Sequence, residues 1–134
     1  MQKFIPVVCG IIECNEMVLA AKRNKKQSNA GLWEFPGGKI DPGELPVDAL
    51  KRELFEELGI MVAVYNQIQA VNYEYPWIAI ELIPFVCKIN SGVPFAHEHE
   101  EVRFFTIKEL DLLDWAPADL QVIDCYLKHR MISK

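Results

Sequence analysis

The N-terminal part of the chain alternates apolar runs with short polar turns. Residues 4–14, FIPVVCGIIEC, and 17–23, MVLAAKR, are rich in β-branched and apolar types and are separated by a turn-like Asn-Glu pair. This pattern is typical of a β-hairpin. The polar segment 24–31 is predicted to be a loop, and 32–44, LWEFPGGKIDPGE, a short strand followed by a long loop that contains both glycines of the Gly-Gly pair.

A helical pattern of apolar residues begins at Pro46 and ends at Leu58. Its apolar positions are Val47, Leu50, Leu54 and Leu58. Residues three and four apart lie on one face of a helix, so this stripe is expected to pack on a core. Proline suits the first helical position, where its missing N–H would have no partner, and Gly59 suits the exit from the helix.

The second half of the chain is predicted to contain three further strands and a helix. Residues 60–72 and 77–89 indicate two long strands joined by residues 73–76, and 102–106 indicates another. Pro117 is expected to open a last helix of roughly a dozen residues. Because no repeat or linker interrupts these elements, we expect one α/β (α+β) domain over residues 1–134, with helices and strands sharing a core.

Composition narrows the class of protein. Of the 134 residues, 51% are hydrophobic and 25% charged, which is typical of a globular chain. Because no apolar run approaches the roughly eighteen residues of a membrane span, and the N-terminus lacks a signal-peptide pattern, we expect a soluble cytoplasmic protein with no membrane partner. The net charge of −5 argues against a stable nucleic-acid partner. The four cysteines form no CxxC pair and are expected to be small buried hydrophobic residues.

Three glutamates lie close together on the first predicted helix. Glu53, Glu56 and Glu57 share one face beside the apolar stripe, although like charges at this spacing cost roughly 0.2–0.5 kcal/mol per pair. A solvated acidic surface is one interpretation. A divalent-cation site is the other, because Mg²⁺ takes carboxylates, waters and substrate phosphates as ligands. A metal held against a polyphosphate also suits attack by water, with a spare carboxylate as the base.

The segment 38–60, GKIDPGELPVDALKRELFEELGI, resembles a complete Nudix box. Every fixed position is filled, from the first glycine through Glu44, the Arg52-Glu53 pair and the two following glutamates to Gly59 and its apolar successor. The resemblance implies the Nudix fold, a mixed β-sheet sandwiched between helices. It also implies hydrolysis of phosphoric anhydrides with Mg²⁺ or Mn²⁺ as the cofactor.

The resemblance assigns roles to individual residues of the box and its surroundings. The implied metal ligands are the backbone carbonyl of Gly37 and the carboxylates of Glu53, Glu56, Glu57 and Glu98. Glu53 is the favoured general base, and Arg52 is expected to pair with a neighbouring glutamate and hold the cluster. Glu44 is either an outer-shell residue or a support for the loop. Lys39 is a candidate phosphate contact, because it is a compact cation beside the metal site.

The run AHEHEEV at 96–102 precedes a predicted strand. In MutT-like relatives a glutamate of this loop reaches the metal, which points to Glu98, with Glu100 in reserve. His97 and His99 are expected to be exposed loop residues, because two histidines without a cysteine partner are a weak zinc signal.

The runs 30–39, 96–101 and 115–119 resemble the bacterial CTP pyrophosphohydrolase branch of the MutT-like Nudix enzymes. Such enzymes cut a nucleoside triphosphate between its α and β phosphorus atoms. Asp119 stands where MutT has an asparagine that follows a Pro-Ala pair. An ionised aspartate only accepts hydrogen bonds, so it favours a base edge with an amino donor, such as cytosine N4. Capping of the last helix is the other interpretation of Asp119.

Three further side chains are candidates for contact with substrate. Phe35 and Trp33 could stack on the base, although alternate strand residues of this kind are as often core. Arg23, after the second strand, could touch the phosphates or the sugar, or remain a surface residue.

The predicted function is a Mg²⁺- or Mn²⁺-dependent pyrophosphohydrolase of (d)CTP-type nucleotides, a monomer or weak homodimer whose partner is a small-molecule nucleoside triphosphate. The alternative within the enzymes is sanitation of oxidised purine nucleotides such as 8-oxo-dGTP, since purines also carry donors. A non-catalytic nucleotide-binding module is the alternative from another class. Such a module would typically have lost a metal carboxylate, whereas all three glutamates of the box remain here.

Overall fold

The computed structural model describes residues 3–132. The strands are β1 (Ile5–Cys14), β2 (Met17–Lys22), β3 (Trp33–Glu34), β4 (Gly37–Lys39), β5 (Met61–Gln67), β6 (Val71–Tyr75), β7 (Ile78–Ser91) and β8 (Glu101–Thr106). The helices are α1 (Pro46–Leu58), a short 3-10 helix (Lys108–Leu112) and α2 (Pro117–Ile132).

The strands form one mixed sheet with β1 and β7 at its centre. These two strands run parallel, with Ile5 opposite Ile80 and Ile12 opposite Cys87. Every other pairing in the sheet is antiparallel: β1 with β2 and β4, β2 with β3 and β8, and β7 with β5 and β6. Because β1 pairs with β4 in its first half and with β2 at its end, the ends of β2, β3 and β4 meet around one cleft.

One strand prediction is wrong. Residues 60–72 do not form a single strand, and residues 73–75 are not a connection. The chain forms β5 and β6 instead, which pair in succession with the same edge of β7. The interruption faces Pro84, which has no N–H to extend the ladder, although its carbonyl accepts from the Ile68 N–H at 2.8 Å.

Helices cover both faces of the sheet, as the resemblance implied. The apolar stripe of α1 is buried against the first face, with Leu50, Leu54 and Leu58 each 0% exposed. On the second face, α2 buries Val122 and Tyr126 in a separate cluster. This last helix has 16 residues, longer than predicted.

The four cysteines are free, and Cys9 and Cys87 are buried as expected, while Cys14 and Cys125 are half-buried. Within residues 3–132, every helix is too short or too polar to cross a membrane.

Candidate active site

Arg52 connects the acidic face of α1 to the loop that precedes it. Its Nε and Nη2 donate to the two carboxylate oxygens of Glu44 at 2.9 and 3.0 Å. Nη1 lies 3.0 Å from Glu53 Oε1 and 3.4 Å from Glu56 Oε2. The hydrogen bonds from Arg52 lower the pKa of Glu44, and those to Glu44 and Glu53 raise the pKa of Arg52. Arg52 thus fixes the orientation of Glu53 through a bidentate pair with Glu44.

Glu57 has a buried carboxylate oxygen, Oε2, with no hydrogen-bond partner. Burial, and then the negative charges of Glu34, Glu53 and Glu98, raise the pKa of Glu57 to about 9. An unsatisfied buried carboxylate is costly, and a hard divalent cation with oxygen ligands would remove that cost. The residues present therefore fit Mg²⁺ or Mn²⁺.

The predicted carboxylate ligands are neighbours without forming a closed cage. Within residues 3–132, no three acidic, histidine or cysteine side chains are gathered closely enough to hold an ion. Arg52 holds Glu53 and Glu56 on one side of the face, and Glu98 is exposed on its loop. Burial also raises the pKa of Glu53, and like charges oppose any closer approach of these groups.

The Gly-Gly pair lies in β4 rather than in the loop that was predicted, and neither glycine has a positive φ. A Cβ atom on Gly38 would overlap the carboxyl group of Glu53. A Cβ atom on Gly37 would overlap the backbone oxygen of Val8 in β1. Both glycines are therefore required for close approach: Gly37 for strand pairing, and Gly38 for the seat of the Glu53 carboxylate.

The loop that carries Glu98 is bound to the end of β2. The Asn24 side-chain amide donates to the Glu98 carbonyl, and the Glu100 N–H donates to the Lys22 carbonyl at 2.9 Å. Glu100 also forms an ion pair with Lys22 at 3.1 Å, so the reserve ligand is already paired with a cation.

The prediction of exposed histidines in this loop is correct for His97 and wrong for His99. His99 is 8% exposed, its Nε2 lies 2.9 Å from Glu34 Oε2, and its buried Nδ1 has no partner. The other oxygen of Glu34 accepts from Arg23 Nη1 at 2.8 Å. The loop turns inward at His99 because Glu34 offers a half-buried carboxylate with one oxygen for each partner.

A cavity of about 210 Å³ is lined by Gly37 and Gly38, and Gly38 places it next to the Glu53 carboxyl group of the acidic face. Four of the five side chains predicted to contact substrate border it, together with the Gly-Gly strand: Arg23, Phe35, Lys39 and Asp119. Trp33, the other stacking candidate, is 8% exposed and packs edge-on against Phe105 at a centroid distance of 5.1 Å. It belongs to the core.

Asp119 lies in the first turn of α2 at the buried end of the cavity. Its Oδ2 accepts from the Phe35 N–H at 2.9 Å, which joins α2 to the segment after β3. Burial, and then the negative charge of Glu34, raise the pKa of Asp119 well above its ordinary value. Phe35 is 3% exposed, with its ring 4.9 Å from that of Trp115, so it offers little surface to a ligand.

The sequence interpretation missed two features of the cavity. Glu34 stands between the acidic face and Asp119, where its charge raises the pKa of both Glu57 and Asp119. The sequence signal for Glu34 was its position as a charged residue between two aromatic residues, Trp33 and Phe35. Tyr75 and Trp77 form a wall of the cavity, and the alternation of aromatics at 73, 75 and 77 was the signal there.

A strand with two glycines packed against an acidic helix face, in a mixed sheet between helices, fits a hydrolase of phosphoric anhydrides, the class that the resemblance to the Nudix box implied. The model of the NUDIX domain family matches residues 3–125. This chain belongs to the Nudix family, as its box indicated.

Individual relatives match over most of their length. The chain is 36% identical over 128 residues to the CTP pyrophosphohydrolase of Escherichia coli (strain K12), covering 96% of this chain and 95% of that protein. It is 35% identical over 135 residues to an 8-oxo-dGTP diphosphatase of Haemophilus influenzae, covering 99% and 95%. Among solved structures, the MutT protein of Methanosarcina mazei Go1 superimposes with a TM-score of 0.84 at 25% identity, covering 99% of this chain and 97% of that one.

Proposed function

We propose that this Nudix hydrolase is a Mg²⁺- or Mn²⁺-dependent pyrophosphohydrolase that converts (d)CTP-type nucleotides and water into the monophosphate and pyrophosphate. The observation that carries the proposal is the position of Asp119, a buried carboxyl group in the cavity that adjoins the acidic face. An acceptor for the base thus lies at one end of the cavity and the phosphate chemistry at the other. The similarity to a CTP pyrophosphohydrolase over nearly the whole chain supports this choice.

At the phosphate end, a divalent cation would neutralise charge on the triphosphate and lower the pKa of a bound water. The proposed ligands are the Gly37 carbonyl and the carboxylates of Glu53, Glu56, Glu57 and Glu98. Glu53 is the proposed general base that accepts the proton of the attacking water. Burial raises its pKa, which makes the ionised group a stronger base, and Arg52 fixes its orientation.

Two cations are suited to the phosphate oxygens. Lys39 borders the cavity at the end of β4, and its side chain is exposed. Arg23 borders the same cavity and is held by Glu34 at 2.8 Å, so its guanidinium is positioned before substrate arrives. Positioning and charge neutralisation of this kind supply most of the catalysis in phosphoryl transfer.

At the base end, Asp119 has one oxygen bound to the Phe35 N–H and lone pairs left for the substrate. An ionised Asp119 accepts from an amino group, such as cytosine N4, and repels the O4 acceptor of uracil or thymine. The expected order is therefore CTP and dCTP well above UTP and dTTP.

One observation favours the second candidate, an oxidised purine triphosphate such as 8-oxo-dGTP. Because burial raises the pKa of Asp119, its neutral form persists to higher pH than that of an ordinary aspartate. A neutral carboxyl group both donates and accepts, which suits a purine edge that presents both kinds of atom.

Release of nucleoside monophosphate from a panel of substrates, with pyrophosphate as the second product of the triphosphates, tests both candidates. The panel is CTP, dCTP, 5-methyl-dCTP, UTP, 8-oxo-dGTP and ADP-ribose, each with and without Mg²⁺. Turnover of CTP and dCTP that requires the metal, well above UTP, is the expected result. Turnover of 8-oxo-dGTP alone would contradict the cytosine assignment and leave the pyrophosphohydrolase in place.

Two variants of α1 test the role of Glu53. Glu53→Gln keeps the size of the side chain and removes its charge, so turnover should fall by at least about a hundredfold, as expected for loss of a general base. The matched control is Asp48→Asn, an exposed acid in the first turn of the same helix, and it should retain wild-type turnover. Equal turnover in both variants would dismiss Glu53 as base or ligand.

A further inference from the structure

Three aromatic side chains line up at alternate positions of the β6–β7 hairpin. The Tyr73 and Tyr75 rings are 4.6 Å apart between centroids, and Tyr75 and Trp77 are 5.0 Å apart with planes only 14° from parallel. Tyr75 pairs with Ile78 across the hairpin, so Pro76 and Trp77 are its two-residue turn. Because proline fixes its own φ, the turn limits the freedom of Trp77.

The first two of these aromatic rings are packed against the protein, whereas the third is exposed. Tyr73 packs on the core cluster beneath α2. Tyr75 is half-buried, and its Oη accepts from the Ala118 N–H at 3.0 Å, directly beside Asp119. Trp77 is 53% exposed and borders the cavity, with one face of its indole covered by Tyr75.

Phe55, Tyr65 and Phe95 are as exposed as Trp77, but Trp77 is the one of these four that borders the cavity. The two aromatic side chains that the sequence suggested for base stacking already pack against neighbouring rings. Phe35 packs on Trp115, and Trp33 packs on Phe105. Trp77 is therefore the most exposed of the aromatic side chains that line the cavity.

We propose that Trp77, backed by Tyr75, is the stacking surface for the nucleobase, and that it determines affinity for the nucleoside part of the substrate. This inference rests on the proposed function, since it requires a nucleotide in the cavity. Every base has a flat π face, so stacking adds affinity without selecting among bases. Selection by base edge stays with Asp119, which directly follows the Ala118 whose N–H donates to the Tyr75 Oη.

The first test compares Trp77→Ala with Trp77→Phe. Loss of the ring should raise the KM for CTP and the dissociation constant of CMP by roughly 5- to 150-fold, the range that stacking of one base supplies. The kcat and the inhibition constant of pyrophosphate should remain within about twofold, since neither depends on the base. Trp77→Phe should recover most of the affinity. The matched control is Tyr65→Ala, an equally exposed aromatic on β5 that does not border the cavity, and it should leave all four constants unchanged.

A second readout does not depend on turnover. Trp33 and Trp115 are 8% and 7% exposed, so quenching of tryptophan fluorescence by acrylamide should come mainly from Trp77. Saturating CMP should protect the wild type from quenching, and this protection should disappear in Trp77→Phe.

Three results would overturn the stacking role: wild-type affinity for CMP in Trp77→Ala, an equal loss of affinity for pyrophosphate, or no protection by CMP. The failure of the proposed function is a different result. In that case the wild type would cleave no nucleoside triphosphate of the panel, whatever the residue at 77.

Discussion

The substitution Glu57→Gln should change how the stability of the metal-free protein depends on pH. In the folded protein the pKa of Glu57 is about 9, against an ordinary value of 4.5. Between these two values the folded state holds a proton that the unfolded state has released. The contribution of this proton to stability is therefore fully present below pH 4.5 and is lost progressively as pH rises through 9. The free energy of unfolding falls by at most about 1.4 kcal/mol per pH unit for one proton.

The measurement is the free energy of unfolding in urea at pH 6 and pH 8, with a chelator present. Glutamine does not titrate, so the fall in stability between these two pH values should be smaller in Glu57→Gln than in the wild type, by as much as about 2.5 kcal/mol. Burial also raises the pKa of Glu53 and of Asp119, so the variant should retain part of the slope. The matched control is Asp48→Asn, an exposed acid in the first turn of the same helix, and its slope should equal that of the wild type.

Addition of Mg²⁺ or Mn²⁺ should offset the loss of stability of the wild type at high pH. A cation that binds the folded state stabilises it by mass action, and it binds the ionised carboxylate. The wild type should therefore gain more stability from the metal at pH 8 than at pH 6, and Glu57→Gln should gain much less at either pH. Parallel pH curves for the wild type and Glu57→Gln, with equal gains from the metal, would refute the assignment of Glu57 as a buried ligand.

Three further predictions concern single positions. Gly38→Ala should displace the carboxyl end of Glu53 and lower kcat with little change in Tm. Gly37→Ala should instead lower Tm, because its methyl group meets the backbone of Val8, and the opposite pattern would contradict these two close approaches. Asp119→Asn adds a donor, so the ratio of kcat/KM for CTP over UTP should fall by about tenfold, and an unchanged ratio would remove Asp119 from base selection. His99→Ala leaves the half-buried carboxylate of Glu34 without one partner and should lower the free energy of unfolding in urea by about 1–3 kcal/mol. Wild-type stability in this variant would show that the His99–Glu34 pair contributes nothing.

The parts of the fold with strong local signals were predictable. Helix α1 begins at Pro46 and ends at Leu58 as expected, because the apolar period, the proline at its start and Gly59 at its exit all agree. Gly59 adopts a left-handed φ of 71° there. The β1–β2 hairpin was equally clear, since its turn residues separate two apolar runs.

The rest depends on contacts between distant segments. The burial of His99 follows from a pairing with Glu34, 65 positions away, and no local pattern indicates it. The break between β5 and β6 faces Pro84 on another strand. The residues predicted to contact substrate come from four segments of the chain. Because β2 pairs with β3, β4 pairs with β1, and α2 lies nearby, these segments border one cavity.

The binding of the catalytic ion by the glutamates of α1 can be tested with a crystal soaked with Mn²⁺ and a non-hydrolysable analogue of CTP, with data collected for the anomalous signal of manganese. A manganese peak is expected between the carboxylates of Glu53 and Glu57, with the triphosphate on the metal and the base in the cavity at Asp119. A peak elsewhere, or a bound analogue with no manganese at this face of α1, would contradict the claim that these glutamates bind the catalytic ion.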